Sequence, residues 1–229
     1  MTSYEKNFSS LLDDANARFR GPAITRTTWQ GYLNEVYVKL QGTMREFGDY
    51  DLTATTIAVT NGTQEYDLPA DFGIARKVWR GDDNVQLEKT FYDNWLLQYV
   101  SSQTSYSRQY YVRGAHKIYT DKDGEQEEFA QIGLCPCSDR SFTLGIIYQP
   151  APHKLENGTD IPVVPPQFVD LIVWGALVNA YTVEGMSEQQ NECEGRFERL
   201  YKDFKQWLGK DREAYSGQGF QNVWRRFSG

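Results

Sequence analysis

The stretch DIPVVPPQFVDLIVWGALVNAY, residues 160–181, sets three prolines directly before an apolar run with almost no chemically reactive side chain. Pro162, Pro165 and Pro166 fix φ and withhold backbone donors. They therefore stop the last strand and place a proline near a helix start, where the missing N–H is harmless. The run that follows predicts a helix over roughly 166–182, burying Phe168, Leu171, Ile172, Ala176 and Val178. Gly175 and Ala176 would let a neighbouring helix approach closely. The apolar window 163–183 is broken by Pro165, Pro166, Asp170 and Asn179, each costly or disruptive in a bilayer, so it reads as a buried helix and not a membrane span.

Helical periodicity recurs at both ends of the chain. Phe8, Leu11, Leu12, Ala15 and Phe19 share one face of a predicted helix over about 3–20, which Gly21-Pro22 ends. A second helix is expected from Thr27 or Thr28, where Thr27-Thr28-Trp29-Gln30 matches a capping box. Trp29, Leu33, Val36, Leu40, Met44 and Phe47 then follow at helical spacing up to Gly48. After the 166–182 helix comes another over about 187–211, with Ser187-x-x-Gln190 as its cap. Its apolar face carries Cys193, Phe197, Leu200, Tyr201, Phe204 and Leu208.

Between these helices the period changes to two. TATTIAV, the turn Asn61-Gly62, TQEYDL, the corner PADFG and IARKVWR read as antiparallel sheet, with a further turn at Gly81-Asp82-Asp83. FYDNWLLQYV, residues 91–100, reads as a short helix on that sheet. Strands resume with SRQYYVRG, HKIYTD, FAQIGLC and SFTLGIIYQ, where Phe142, Leu144, Ile146 and Tyr148 alternate on one face. The fold class is α+β: a helical core from 1–50 and 161–211, a β-rich insertion over 51–160, and an extended tail over 212–229.

Hydrophobic residues form 40% of the 229, enough for a real core. The formal charge of -7 argues against a broad phosphate-gripping surface, which needs clustered Lys and Arg, though DNA can still pass nearby. The first residues carry Glu5, Lys6 and Asp13 where a signal peptide needs an apolar run, so no export is expected. Three cysteines, Cys135, Cys137 and Cys193, cannot complete a disulfide set and fit a reducing cytoplasm.

Signatures of chemistry are weak. The Cys135-Pro136-Cys137 spacing is too short for a structural zinc site, and only His116 and His153 could assist, so no metal or cofactor is expected. DKDGEQEEF, residues 121–129, puts Gly124 at the fourth position where a calcium loop needs it at the sixth, and reads as a hairpin turn. Neither a G-x-S-x-G elbow nor a phosphate-cradling loop is present. A carboxylate pair of glycosidase type would be defined by separation in space and not by sequence. Tyr106, Tyr110, Tyr111 and Tyr119 with Arg108 and Arg113 suit either stacking of single-stranded nucleic acid or cross-strand packing, the commoner use of aromatics in alternating strands.

The tail is different. Phe220, Val223, Trp224, Arg225, Arg226 and Phe227 are residue types that dominate binding hot spots, placed on a segment that can order on docking or pack on its own domain.

The element order W.GYLNEVYVKL, TQEYDLPADFGIARKVW, then LGIIYQPAPHKLENGTDIPVVPPQFVDLIVWGALVNAY and an amphipathic helix resembles the head-to-tail adaptors, or connectors, of tailed bacteriophages, including the tail tubular A type. That resemblance, over about 28–208, implies a structural virion protein and no enzyme. Copies would form a dodecameric ring at the head-tail junction, binding the portal protein on one side and a downstream tail or nozzle protein on the other. Genome DNA would pass through without sequence-specific binding. It also implies a C-terminal segment that clasps the portal, which falls by position on 219–229. The acid excess suits a channel through which DNA slides, because like charge opposes phosphate contacts. Other readings are a tail-completion or nozzle-type protein and, from another class, a carbohydrate-binding β module or a hydrolase.

Overall fold

The computed structural model describes residues 6–47, 51–91, 105–120 and 125–215, with side chains throughout except at 115–120, 125–129 and 210–215. The chain divides into two compact units, Met1–Tyr50 with Pro152–Gly229 and Asp51–Ala151.

The first unit holds α1 (Phe8–Arg18), α2 (Arg26–Phe47), α3 (Asp170–Val183) and α4 (Ser187–Tyr215). Helix α3 buries Leu171, Ile172, Val173, Ala176, Leu177, Ala180 and Tyr181 around nearly its whole circumference. Val178, expected inside, is only half-buried, because an all-apolar sequence does not reveal which narrow strip faces water. Burial of each large aliphatic here contributes about 1.5–3 kcal/mol, and the other three helices supply the partners. Their apolar faces meet it with Phe8, Leu11 and Leu12 from α1, Leu33 and Leu40 from α2, and Phe204 and Leu208 from α4.

Capping differs in detail from expectation. Helix α1 begins at Phe8, where the Asn7 side chain accepts from Ser10 N (2.9 Å). Thr25, and not Thr27, caps α2: its Oγ1 accepts from Thr28 N at 3.2 Å. Ser187 is the first residue inside α4, and Met186 O accepts the first helical bond from Gln190 N. The reversal from α3 to α4 takes only residues 184–186. Gly185, at φ 70°, lets Met186 N reach Tyr181 O (3.0 Å) and Gly185 N reach Thr182 O (3.3 Å), a Schellman closure.

The final strand ends at Pro150, well before Pro162, so the prolines serve the helix entry alone. Pro165 is extended and Pro166 opens a 3-10 turn, Pro166–Phe168, that leads into α3. The segment ahead is held to the helices by side-chain amides acting as backbone mimics. Asn34 exchanges two hydrogen bonds with Leu155 (2.7 and 3.0 Å), and Gln41 two with His153 (2.7 and 3.1 Å). Phe8 N and Ser9 N, at the start of α1, donate to Asp160 O and Gly158 O. The hydrogen bonds of 153–160 thus join this stretch to the helical unit.

The second unit contains two sheets. One has the order β1 (Thr53–Val59), β7 (Phe142–Pro150), β3 (Phe72–Arg80); the other has β2 (Glu65–Asp67), β6 (Glu125–Cys135), β5 (Gln109–Thr120), β4 (Glu88–Lys89). Val78, Leu144, Ile146 and Tyr148 of the first share a core with Tyr110, Ile132 and Leu134 of the second. The Asn61-Gly62 turn therefore does not pair its flanking strands: β1 pairs with β7 and β2 with β6. Pairing is antiparallel except for β4 and β5, which run parallel. SRQYYVRG and HKIYTD form one strand with a register irregularity between Arg113 and His116. Two glycines seat cross-strand aromatics, Gly145 beneath Trp79 and Gly133 beneath Tyr111. Residues 92–100, expected to be helical, lie outside the described residues.

A Cβ on Gly175 would come within 2.7 Å of Val36 Cγ1 on α2 and 3.1 Å of Phe197 on α4. Gly175→Val should cost about 1–3 kcal/mol by overpacking. Urea unfolding checks this, and a neutral result would contradict the close approach.

Candidate functional site

Every residue of the expected portal-binding set, Phe220, Val223, Trp224, Arg225, Arg226 and Phe227, lies outside the described residues. What leads toward it is described. Helix α4 continues to Tyr215, four residues past the expected end at Asp211. The segment 212–215 is thus helical and not extended, because Arg212, Glu213 and Ala214 are good helix formers and the first breaker is Gly217.

In the helical unit the charged side chains are organised around α1 and the start of α3. Lys6 Nζ bridges Asp14 (2.8 Å) and Asp170 (2.7 Å), while Arg18 grips Asp14 with two bonds of 2.7 Å and reaches Asp170 at 3.6 Å. Asp170 stands in the first turn of α3, where a negative charge also favours the helix dipole. Partial burial acts to raise the Asp14 pKa, but hydrogen bonds from Lys6 and Arg18 outweigh it and hold the carboxyl below its usual range. Burial acts to lower the Lys6 pKa, and the bonds to Asp14 and Asp170 overcome it and raise it.

Next to this network lies a cleft of about 380 Å³ between α1, α3 and the N-terminal half of α4. Leu177, Tyr181 and Cys193 form its buried floor. Half-buried Trp174 stands on its wall with two guanidiniums over its ring, Arg18 at 4.9 Å and Arg196 at 4.8 Å from the ring centre. Arg20 lines the cleft and makes no ion pair among the described residues, whereas Arg196 pairs with exposed Glu192 at 2.7 Å. The sequence offers little signal for this site, since Arg18 and Trp174 are far apart along the chain and meet only through helix packing.

In the β unit the side chain of Arg80 is buried and bonds Asp83 through two nitrogens (3.2 and 2.7 Å) and Ser107 O (3.1 Å). The guanidinium carbons of Arg80 and Arg140 are 3.6 and 4.2 Å from the ring centre of Tyr106, which donates to Asp82 and Asp83. Tyr110 and Tyr111 are buried, and Tyr111 donates to Glu65 at 2.8 Å, so these two form core and not an open stacking face for bases. The side chain of Tyr119 is not described. Burial, reinforced by the bond to Asp71 (2.8 Å), pushes the Tyr148 phenol up to about 12.

None of the three cysteines forms a disulfide, and burial raises all three thiols, which disfavours the thiolate needed for nucleophilic attack. Among the described residues no three His, Cys, Asp or Glu side chains converge to hold a metal, and no helix is long and apolar enough to cross a membrane.

The described charged side chains of this α+β chain gather into ion networks and arginine-aromatic stacks, as in Lys6, Asp14, Arg18 and Asp170. Residues 6–221 match the family model described as SU10 adaptor protein, and the chain belongs to that family. No curated protein matches it. It is a structural adaptor component of a phage virion, a class that is not enzymatic and that works by contact with capsid or tail components.

Because the Asp14 carboxyl is held below its ordinary value of 3.8, its contribution to stability is present above that pH and is lost as pH falls through the folded value. Asp14→Asn should therefore be less stable than the parent at neutral pH, with the gap closing under acid. Urea midpoints across a pH series would show it; a gap independent of pH would contradict the network.

Proposed function

We propose that copies of this chain close into a dodecameric ring at the head-tail junction, joining the portal protein to a downstream tail or nozzle protein around the DNA exit channel. The observation that carries this reading is the family match, which runs through both compact units. A ring asks each subunit for two different, complementary surfaces related by a closing rotation. Charged clefts and sheet edges of the kind present here suit that demand. The acid excess of the chain suits a channel past which DNA moves without sticking.

Portal capture is assigned in this reading to 219–229, with Phe220, Val223, Trp224 and Phe227 as apolar anchors and Arg225 and Arg226 as charged contacts. Such a segment orders on docking and meets its entropy cost there. The decisive experiment is solution mass by light scattering, first alone and then with the portal protein of the same virus. A ring-sized increase on mixing is expected; no shift in mass would remove the portal as partner. Deleting 219–229 should abolish that increase while leaving the circular dichroism and melting of the fold intact. Undiminished portal binding by the truncated chain would refute the clasp.

A further inference from the structure

We propose that the cleft beside Trp174 receives the acidic stretch 121–128 from a second copy of this chain, a subunit contact that rests on the ring reading above.

The cleft side of the argument is geometric. Two guanidiniums stand over the Trp174 ring, at 4.9 and 4.8 Å from its centre, beside the buried Leu177 and Cys193, and Trp and Arg are side chains that anchor protein interfaces. Three arginines, Arg18, Arg20 and Arg196, line it against one carboxylate, Glu192. Arg18 is held in place by Asp14 and Asp170. Among the described residues Arg20 has no ion-pair partner, and the Arg196–Glu192 pair is more than half exposed on both sides, a weak contact that an incoming carboxylate can replace. The fitting occupant is an extended, carboxylate-rich segment.

The chain supplies one. Residues 121–128, DKDGEQEE, hold five carboxylates and one lysine, whereas 216–229 carry Arg225 and Arg226 and no carboxylate, so charge selects the former. The backbone on either side gives a second, independent reason. Strands β5 and β6 pair from Gln109↔Cys135 out to Thr120↔Glu125, but β4 covers only Gln109 and Tyr110, and β2 only Gln131, Ile132 and Gly133. Among the described residues, the ribbon from His116↔Phe129 outward therefore has no sheet neighbour. At roughly 3.4 Å per residue, five residues of strand span about 17 Å. A lone two-stranded ribbon is marginal in water and gains stability from a partner surface. Glu125, Glu127 and Glu128 stand at or just behind the end of that ribbon in sequence.

The test adds a capped synthetic peptide, TDKDGEQEEF (residues 120–129), to the full-length protein and follows tryptophan fluorescence, with Trp174→Phe identifying the reporter. Saturable binding that weakens with salt is expected. The exposed-site double variant Arg20→Glu/Arg196→Glu, shown to be folded by circular dichroism, should bind about tenfold more weakly or worse. A peptide with its five acids replaced by lysine should not bind the parent. Absence of binding, equal binding by the double variant, or binding of the charge-reversed peptide would each overturn the proposal. A chain that filled its own cleft would likewise leave the added peptide unbound. The parallel mass measurement with portal keeps the two readings apart. A ring that forms while the peptide fails sinks this contact alone, and peptide binding without a ring sinks the ring while leaving a contact between copies.

Discussion

The burial of α3 is the constraint on which the helical unit depends. A 14-residue helix that is apolar on nearly every side cannot sit at a surface, so three other helices must enclose it. Their lengths and spacing follow: α2 approaches at Gly175, where a larger side chain would collide with Val36, and α4 returns along α3 after a three-residue Schellman reversal. The proline-rich approach supplies the entry direction. Pro162 and Val164 point inward while Ile161 and Val163 face solvent, and the Val163 N–H donates to the hydroxyl of buried Tyr37.

Polar side chains then fix what apolar packing leaves loose. Asn34 and Gln41 on α2 pin the stretch that leads back from the β unit, each satisfying both a backbone N–H and a C=O of their partner residue. Such bonds add modest net stability individually, but breaking one would strand a partner group, which is the costlier event. The Lys6, Asp14, Arg18 and Asp170 cluster does the same between α1 and α3, and in doing so it places Arg18 against Trp174. One charged network therefore serves both packing and the presentation of a surface.

Such an architecture suits a protein that functions by being held and by holding others. An adaptor needs rigid elements carrying surfaces of distinct chemistry, and here a helical unit bears an arginine-tryptophan cleft while a β unit bears a ribbon that, among the described residues, outruns its own sheet. The thiols and phenols most displaced toward their neutral forms are explained by burial and a neighbouring carboxylate, as in Tyr148 with Asp71, and not by a reacting centre.

By itself the sequence determined the helical faces and the alternating strands, because both depend on periods of 3.6 and 2.0 that local order writes directly. Leu11, Leu33, Phe204 and the inward set Leu144, Ile146 and Tyr148 were legible for that reason. So was the kinship with phage adaptors, which rests on the order of elements. Cap positions slipped by one or two residues, since neighbouring threonines and serines offer equal chemistry and only backbone geometry chooses among them. Strand pairing was not legible: the Asn61-Gly62 turn marks a reversal, but which distant strand completes each sheet depends on the shared core. Nor was the cleft, because Arg18, Trp174 and Arg196 come from three helices. Local periodicity decides what an element is, and only the packing of one element on another decides what its outward side chains meet.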